Sequence, residues 1–166
     1  TAGPAGAEPG AHEALFAAVA AEASKKMATF TSQELSNLVW AFSTAGFKAP
    51  LLFEAVAAEA TVKMAAFNSQ ALANTAWAFA TAGAGSGARA GALFEAIALE
   101  SVKKMETFSA QALANAVWAY AKTGVRAPLL FKAVSRELLG KVETFNAQAL
   151  ANTAWAFAKA GVEAPY

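Results

Sequence analysis

The chain has 166 residues, 57% of them hydrophobic and 15% charged, with a formal net charge of +1 and no cysteine. That apolar share excludes a disordered tail, and the missing cysteines exclude disulfides, thiolate chemistry and cysteine-type zinc sites. Near neutrality means that a nucleic-acid binder would need a local basic stripe, because no bulk field is available.

Much of the apolar share is alanine, the strongest helix former, which predicts closely approaching helices. Residues 1–10 read as a flexible lead and residues 11–166 as an α-helical repeat array. Its units span about 11–47, 48–88, 89–125 and 126–162, followed by the start of a further unit. Each unit reads as two helices, A and B. In the first, helix A turns Phe16, Val19 and Met27 inward and places Glu22 and Lys26 four apart on a charged face. Thr31 is the N-cap of helix B and forms a capping box with Glu34, while Phe30 and Leu35 form a hydrophobic staple. Gly46 ends the helix as a C′ glycine.

The second unit starts helix A near Pro50, a residue suited to the first helical position. It repeats Phe53, Val56, Met64 and the Glu59–Lys63 pair, caps helix B at Asn68 and stops at Gly83. Met64 to Ala88 carries no charge, but its amides and glycines interrupt it too often for a membrane span. Ala84–Gly87 is a four-residue Gly/Ser insertion that reads as loop. The third unit carries Phe94, Ile97, Glu100–Lys104, Met105, Ser109 and Gly124. The fourth carries Pro128, Phe131, Val134, Glu137–Lys141, Val142, Asn146 and Gly161. Pro165 lies 37 residues after Pro128, where another helix A should begin, so either the array continues or a partner covers the last helix B. No secretory or transit segment is visible.

Trp40, Trp77, Trp118 and Trp155 are 37, 41 and 37 residues apart, and the Phe, Gln, Asn and Gly series share those gaps. The period is therefore 37, with the insertion held in one loop. A single helix pair cannot bury its own apolar face, so the units are expected to stack into an all-α solenoid of four tandem helix-turn-helix repeats. Helix A, with its i,i+4 ion pairs, should form the solvated layer and the nearly uncharged helix B the enclosed one.

Phe145–Pro165 (FNAQALANTAWAFAKAGVEAP) and Phe67–Gly83 (FNSQALANTAWAFATAG) resemble the octotricopeptide repeat family and the arrays that precede RAP domains in organellar proteins. The resemblance covers about His12 to Pro165. It implies an α-solenoid in a chloroplast or mitochondrion that binds single-stranded RNA and acts in its processing, stability or translation.

Two groups of residues are candidate contacts. Gln33, Asn37, Gln70, Asn74, Gln111, Asn115, Gln148 and Asn152 share one face of helix B with the tryptophans. They form either a ladder that hydrogen-bonds and stacks bases or a seam between units in which Gln33 and Asn37 pair and Trp40 fills a gap. The seam is preferred, because residues identical in every unit cannot tell bases apart. Lys48, Arg89 and Arg126 occupy one place in the loop after helix B, with Lys122 and Lys159 at helix B C-termini. This ridge suits phosphates or serves only as solvated loop ends that favour the helix dipole. The N-terminal residues of helix B that vary, Thr31, Asn68, Ser109 and Asn146 with Ser32, Ser69, Ala110 and Ala147, are explained mainly by capping.

One histidine, no nucleophile–base set and no phosphate-cradling loop argue against an enzyme, and no cofactor, metal or small-molecule substrate is expected. The reading is a non-catalytic helical-repeat scaffold that binds RNA. Its alternative is a protein–protein scaffold or peripheral subunit of a large organellar assembly, such as a photosynthetic or ribosomal one.

Overall fold

The computed structural model describes residues 9–162. The rest of the lead and the expected helix start at Pro165 lie outside them. Helices α1 (Pro9–Lys25), α3 (Pro50–Val62), α5 (Ala88–Lys103) and α7 (Pro128–Lys141) are the A helices, with α1 beginning just before the expected start of the array. Helices α2 (Ser32–Ala45), α4 (Ser69–Thr81), α6 (Ala110–Thr123) and α8 (Ala147–Ala160) are the B helices. The described residues contain no strand, and the architecture is an α-solenoid.

Local chemistry sets the helix ends. Thr31, Asn68, Ser109 and Asn146 accept from the backbone N–H groups of Glu34, Ala71, Ala112 and Ala149. The capping box forms, with the Thr31 N–H donating to Glu34 at 2.8 Å. That N–H and then the Thr31 hydroxyl hold the Glu34 carboxyl below its ordinary pKa. Gly46, Gly83, Gly124 and Gly161 all take positive φ, a conformation that costs a side chain but not glycine.

Each A helix ends in a 3₁₀ turn that the sequence pattern does not announce: Met27–Thr29, Met64–Ala66, Met105–Thr107 and Val142–Thr144. Thr29, Thr107 and Thr144 tighten it by donating to the carbonyls of Lys26, Lys104 and Lys141.

The B helices pack against one another more extensively than the A helices do. Helices α4 and α6 each bury eight residues, five of them alanine, so small side chains let these helices lie close. Helix B is thus the enclosed layer. Between the layers an A-helix phenylalanine meets a B-helix aromatic edge-on in every unit: Phe16–Phe42, Phe53–Phe79, Phe94–Tyr120 and Phe131–Phe157, at 4.9 to 5.1 Å between ring centroids. Each pair is worth about 0.5–1.5 kcal/mol beyond its buried area. Tyr120 stands where the other units have phenylalanine and donates its hydroxyl to the Phe94 carbonyl. Burial raises the pKa of its phenol.

The four i,i+4 ion pairs form at 2.6 to 3.0 Å, but three of their lysines are more than solvated partners. Lys63 donates to the carbonyls of Ala28 and Phe30 in the preceding unit. Lys104 donates to Ala65 and Phe67, and Lys141 to Glu106 and Phe108. Each lysine therefore clamps the 3₁₀ turn of the unit before it. In the opposite direction, the Ser32 and Ser69 hydroxyls donate to the carbonyls of Ala66 and Thr107 in the following unit.

Three expectations need correction. Val19 and Val142, expected inward, are 41% and 43% exposed. They belong to the first and last units, each with one neighbouring unit among the described residues. Arg89, expected in a loop, lies in the first turn of α5. The inserted residues, and the lack of a proline equivalent to Pro50, let that helix begin a turn early.

Candidate functional site

The B helices present one open face along the array. Gln33, Gln70, Gln111 and Gln148 are exposed on it. Asn37 is also exposed, and Asn74, Asn115 and Asn152 are half-buried. Gln33 donates to Asn37 at 2.9 Å and Gln111 to Asn115 at 2.8 Å, so each pair orients its amides while leaving further donors and acceptors towards solvent. The Gln33–Asn37 pairing expected of a seam thus forms, but the glutamines stay exposed and Trp40 is not enclosed between units.

The indoles complete the face. Trp77 and Trp118 stack across the boundary between the second and third units, with centroids 6.4 Å apart and planes 30° from parallel. Both are half-buried, whereas Trp40 and Trp155 are 46% and 45% exposed. The middle indoles therefore join neighbouring units and also keep part of their surface on the open face. The Lys122 ammonium sits 4.7 Å from the Trp118 ring centroid. This cation–π contact brings a cation of the basic series onto the amide and indole face.

The other cations lie at the edge where B helices hand over to A helices. Lys48, Arg89, Arg126 and Lys159 are exposed there. Arg126 and Lys159 line one cleft of about 370 Å³ with Pro128 and Phe131, and no acid is among its described lining residues. Lys48 lines another cleft with Phe47 and Pro50. Arg89 shares its cleft with Glu54, which opposes an anion there. The series is thus not one uniform ridge. The structure separates a two-cation cleft in the last units, a single cation near Pro50, and an arginine offset by a carboxylate.

Ser32 and Ser69, which vary among the units, are engaged with neighbouring carbonyls and are explained by stacking. The inter-unit lysine clamps were the polar signal missed in the sequence. Their only trace there is that Lys63, Lys104 and Lys141 recur at a fixed distance before Phe67, Phe108 and Phe145. No group of three or more histidines, aspartates or glutamates among the described residues is placed to hold a metal. No described helix is long and apolar enough to cross a membrane.

The family model described as RNA-editing substrate-binding complex 6 protein matches residues 10–164. No curated protein matches the chain. The family match overturns the resemblance to octotricopeptide and RAP-associated repeats. The residues that suggested it are general to a stacked helix pair: a phenylalanine staple, a capped helix start, and alanines where B helices touch. They describe how the units pack and do not distinguish one such family from another.

Proposed function

The chain belongs to the RNA-editing substrate-binding complex 6 protein family, and from that premise we propose that it is a non-catalytic scaffold that binds single-stranded RNA in an RNA-editing substrate-binding complex. The observation that carries this reading is the open B-helix face, where an amide pair and an indole recur in register in each unit and Lys122 joins them. Bases stack on Trp40, Trp77, Trp118 and Trp155, and Gln and Asn hydrogen-bond their edges. Because the same residues recur in every unit, the face holds RNA with little regard to sequence, as stacking platforms do. Lys122, Arg126 and Lys159 supply phosphate contacts, and Lys48 and Arg89 weaker ones. The location in this reading is organellar. The chloroplast rested on the resemblance that the family match overturns.

The test is fluorescence anisotropy with a labelled single-stranded RNA of about a dozen nucleotides over a salt series. Affinity should fall as salt rises, by a slope of about −0.7 per neutralised phosphate. Joint replacement of Lys122, Arg126 and Lys159 by alanine should weaken binding and flatten that slope. Trp40→Ala should weaken binding at every salt concentration, by about 1–3 kcal/mol for each stacked base. Absent or salt-independent binding would reject the proposal.

A second reading is a scaffold for protein partners. Leu51, Val62 and Leu129, strongly exposed on the A helices, favour it. Retention of a protein partner by a variant that no longer binds RNA would support this second role.

A further inference from the structure

The lysines at the edge where A helices hand over to B helices are all engaged. Lys25, Lys26, Lys63, Lys103, Lys104 and Lys141 each pair with a glutamate of their own helix, and three of them also clamp carbonyls of the preceding unit. Glu34, Glu106 and Glu143 add exposed carboxylates at the same edge. The opposite edge, where B helices hand over to A helices, differs. Lys48, Arg89, Lys122, Arg126 and Lys159 are exposed there and form no ion pair among the described residues. Glu54 and Glu95 approach it from the A helices, in clefts shared with Arg89 and Arg126. None of the described B helices carries an acid in its second half. The unpaired positive charge is therefore strongest on the B-helix side of that edge.

The B helices hold the two edges apart. Each has 13 or 14 residues, a length of about 20 Å, which exceeds the screening length of about 8 Å at physiological salt. A phosphate at one edge is thus nearly blind to charges at the other. The helix dipole favours the A-to-B edge, where the positive end lies, but it amounts to only about half an elementary charge. Ser109 and Asn146 already accept from N–H groups there, and the full charges of Glu106 and Glu143 outweigh the dipole.

The cations are also uneven along the array. Four residues after each indole stand Thr44 and Thr81 in the first two units, and Lys122 and Lys159 in the third and fourth. Lys122 lies over the Trp118 ring, so this place borders the indole, and Arg126 and Lys159 share one cleft.

We propose that the backbone of a bound single strand follows the B-to-A edge, held by Lys122, Arg126 and Lys159, with its bases turned onto the indoles and amides and the A-to-B edge left free. The third and fourth units anchor the strand, and the first two extend the stacking surface with few phosphate contacts. This rests on the RNA reading above and adds which edge the backbone takes and which units hold it.

The experiment is fluorescence anisotropy of a labelled oligouridine over a salt series, with circular dichroism confirming that each variant is folded. Lys122→Thr with Lys159→Thr gives the third and fourth units the residues of the first two. Affinity should fall about tenfold and the salt slope should shrink by about 1.4, from two phosphates at about 0.7 each. Thr44→Lys with Thr81→Lys does the reverse, and should tighten binding about tenfold and steepen the slope by the same amount. Thr81 is half-buried, so Thr44→Lys alone, at an exposed place, is the second variant and should give about half of that slope change. Glu106→Gln with Glu143→Gln removes two acids from the far edge and should leave affinity within about twofold and the slope unchanged. The added lysines and the added glutamines raise the net charge equally, so the contrast between them reads position and not bulk charge. Tightening of about tenfold by the glutamine pair would put the backbone on the A-to-B edge and overturn the proposal. So would added lysines that bring no gain. Salt-dependent binding indifferent to every lysine exchange keeps the RNA reading and rejects only this track, whereas a parent that binds no RNA rejects both.

Discussion

Lys26 and Lys104 occupy the same place in the repeat and pair with the same glutamate four residues before, yet their surroundings differ. Lys26 and Glu22 are both more than half exposed, and such a pair contributes little. Lys104 is less exposed, donates to two carbonyls of the preceding unit, and faces a Glu100 that is nearly buried. Removing it leaves carbonyls and a carboxylate short of partners, which costs more than the hydrogen bonds themselves contribute. Lys104→Met should therefore destabilise the fold by about 2–4 kcal/mol, and Lys26→Met by less than about 0.5 kcal/mol, in urea denaturation of dilute protein. Acidification should show the same asymmetry. Lys104 first, then Lys103, holds the Glu100 pKa below its ordinary value of 4.5. A depressed folded-state pKa gives stability that is complete above the unfolded value and is lost as pH falls below it. Lys104→Met should reduce that acid sensitivity. Equal losses for the two lysine variants would contradict the clamp. The sequence showed these residues only as four identical helix pairs, because an i,i+4 spacing records the partner on the same helix and is silent about a carbonyl in the neighbouring unit.

The helices themselves were largely legible, because their ends rest on local chemistry. N-cap side chains, positive-φ glycines and the prolines at 50 and 128 all act within a few residues. The missed features depend on distant neighbours or on a signal that is lacking. The 3₁₀ turns carry no glycine or proline, and α5 begins early because no proline fixes its start. Two glycines separate these cases experimentally. Gly124 closes α6 at φ 74°, and a Cβ added there would meet nothing within 4 Å. Gly91 lies within α5 with equally open space but without a positive φ. Gly124→Ala should cost about 1 kcal/mol, because alanine is strained in the left-handed region. Gly91→Ala should gain about 0.5–1 kcal/mol, because it removes glycine from a helix interior. Thermal or chemical denaturation reads both, and the opposite signs are the check. Agreement in sign would mean that space, rather than backbone conformation, decides at these positions.

Across the whole array, stability should follow the number of neighbours a unit has. In a stack of this kind each unit contacts only the next, so its stability is its own plus that of its interfaces. The second and third units have two interfaces each, and the deepest helices, α4 and α6, lie in them. The first and fourth have one each among the described residues, and their outward leucines and valines are exposed. Hydrogen exchange of dilute protein should therefore protect amides in α4 and α6 most and release those of α1 and α8 first. The helical repeat was visible in the sequence, but this gradient was not, because chemically equivalent positions such as Leu113 and Leu150 differ only in what stands beside them. Uniform exchange across the eight described helices would mean that the array opens as a single cooperative unit.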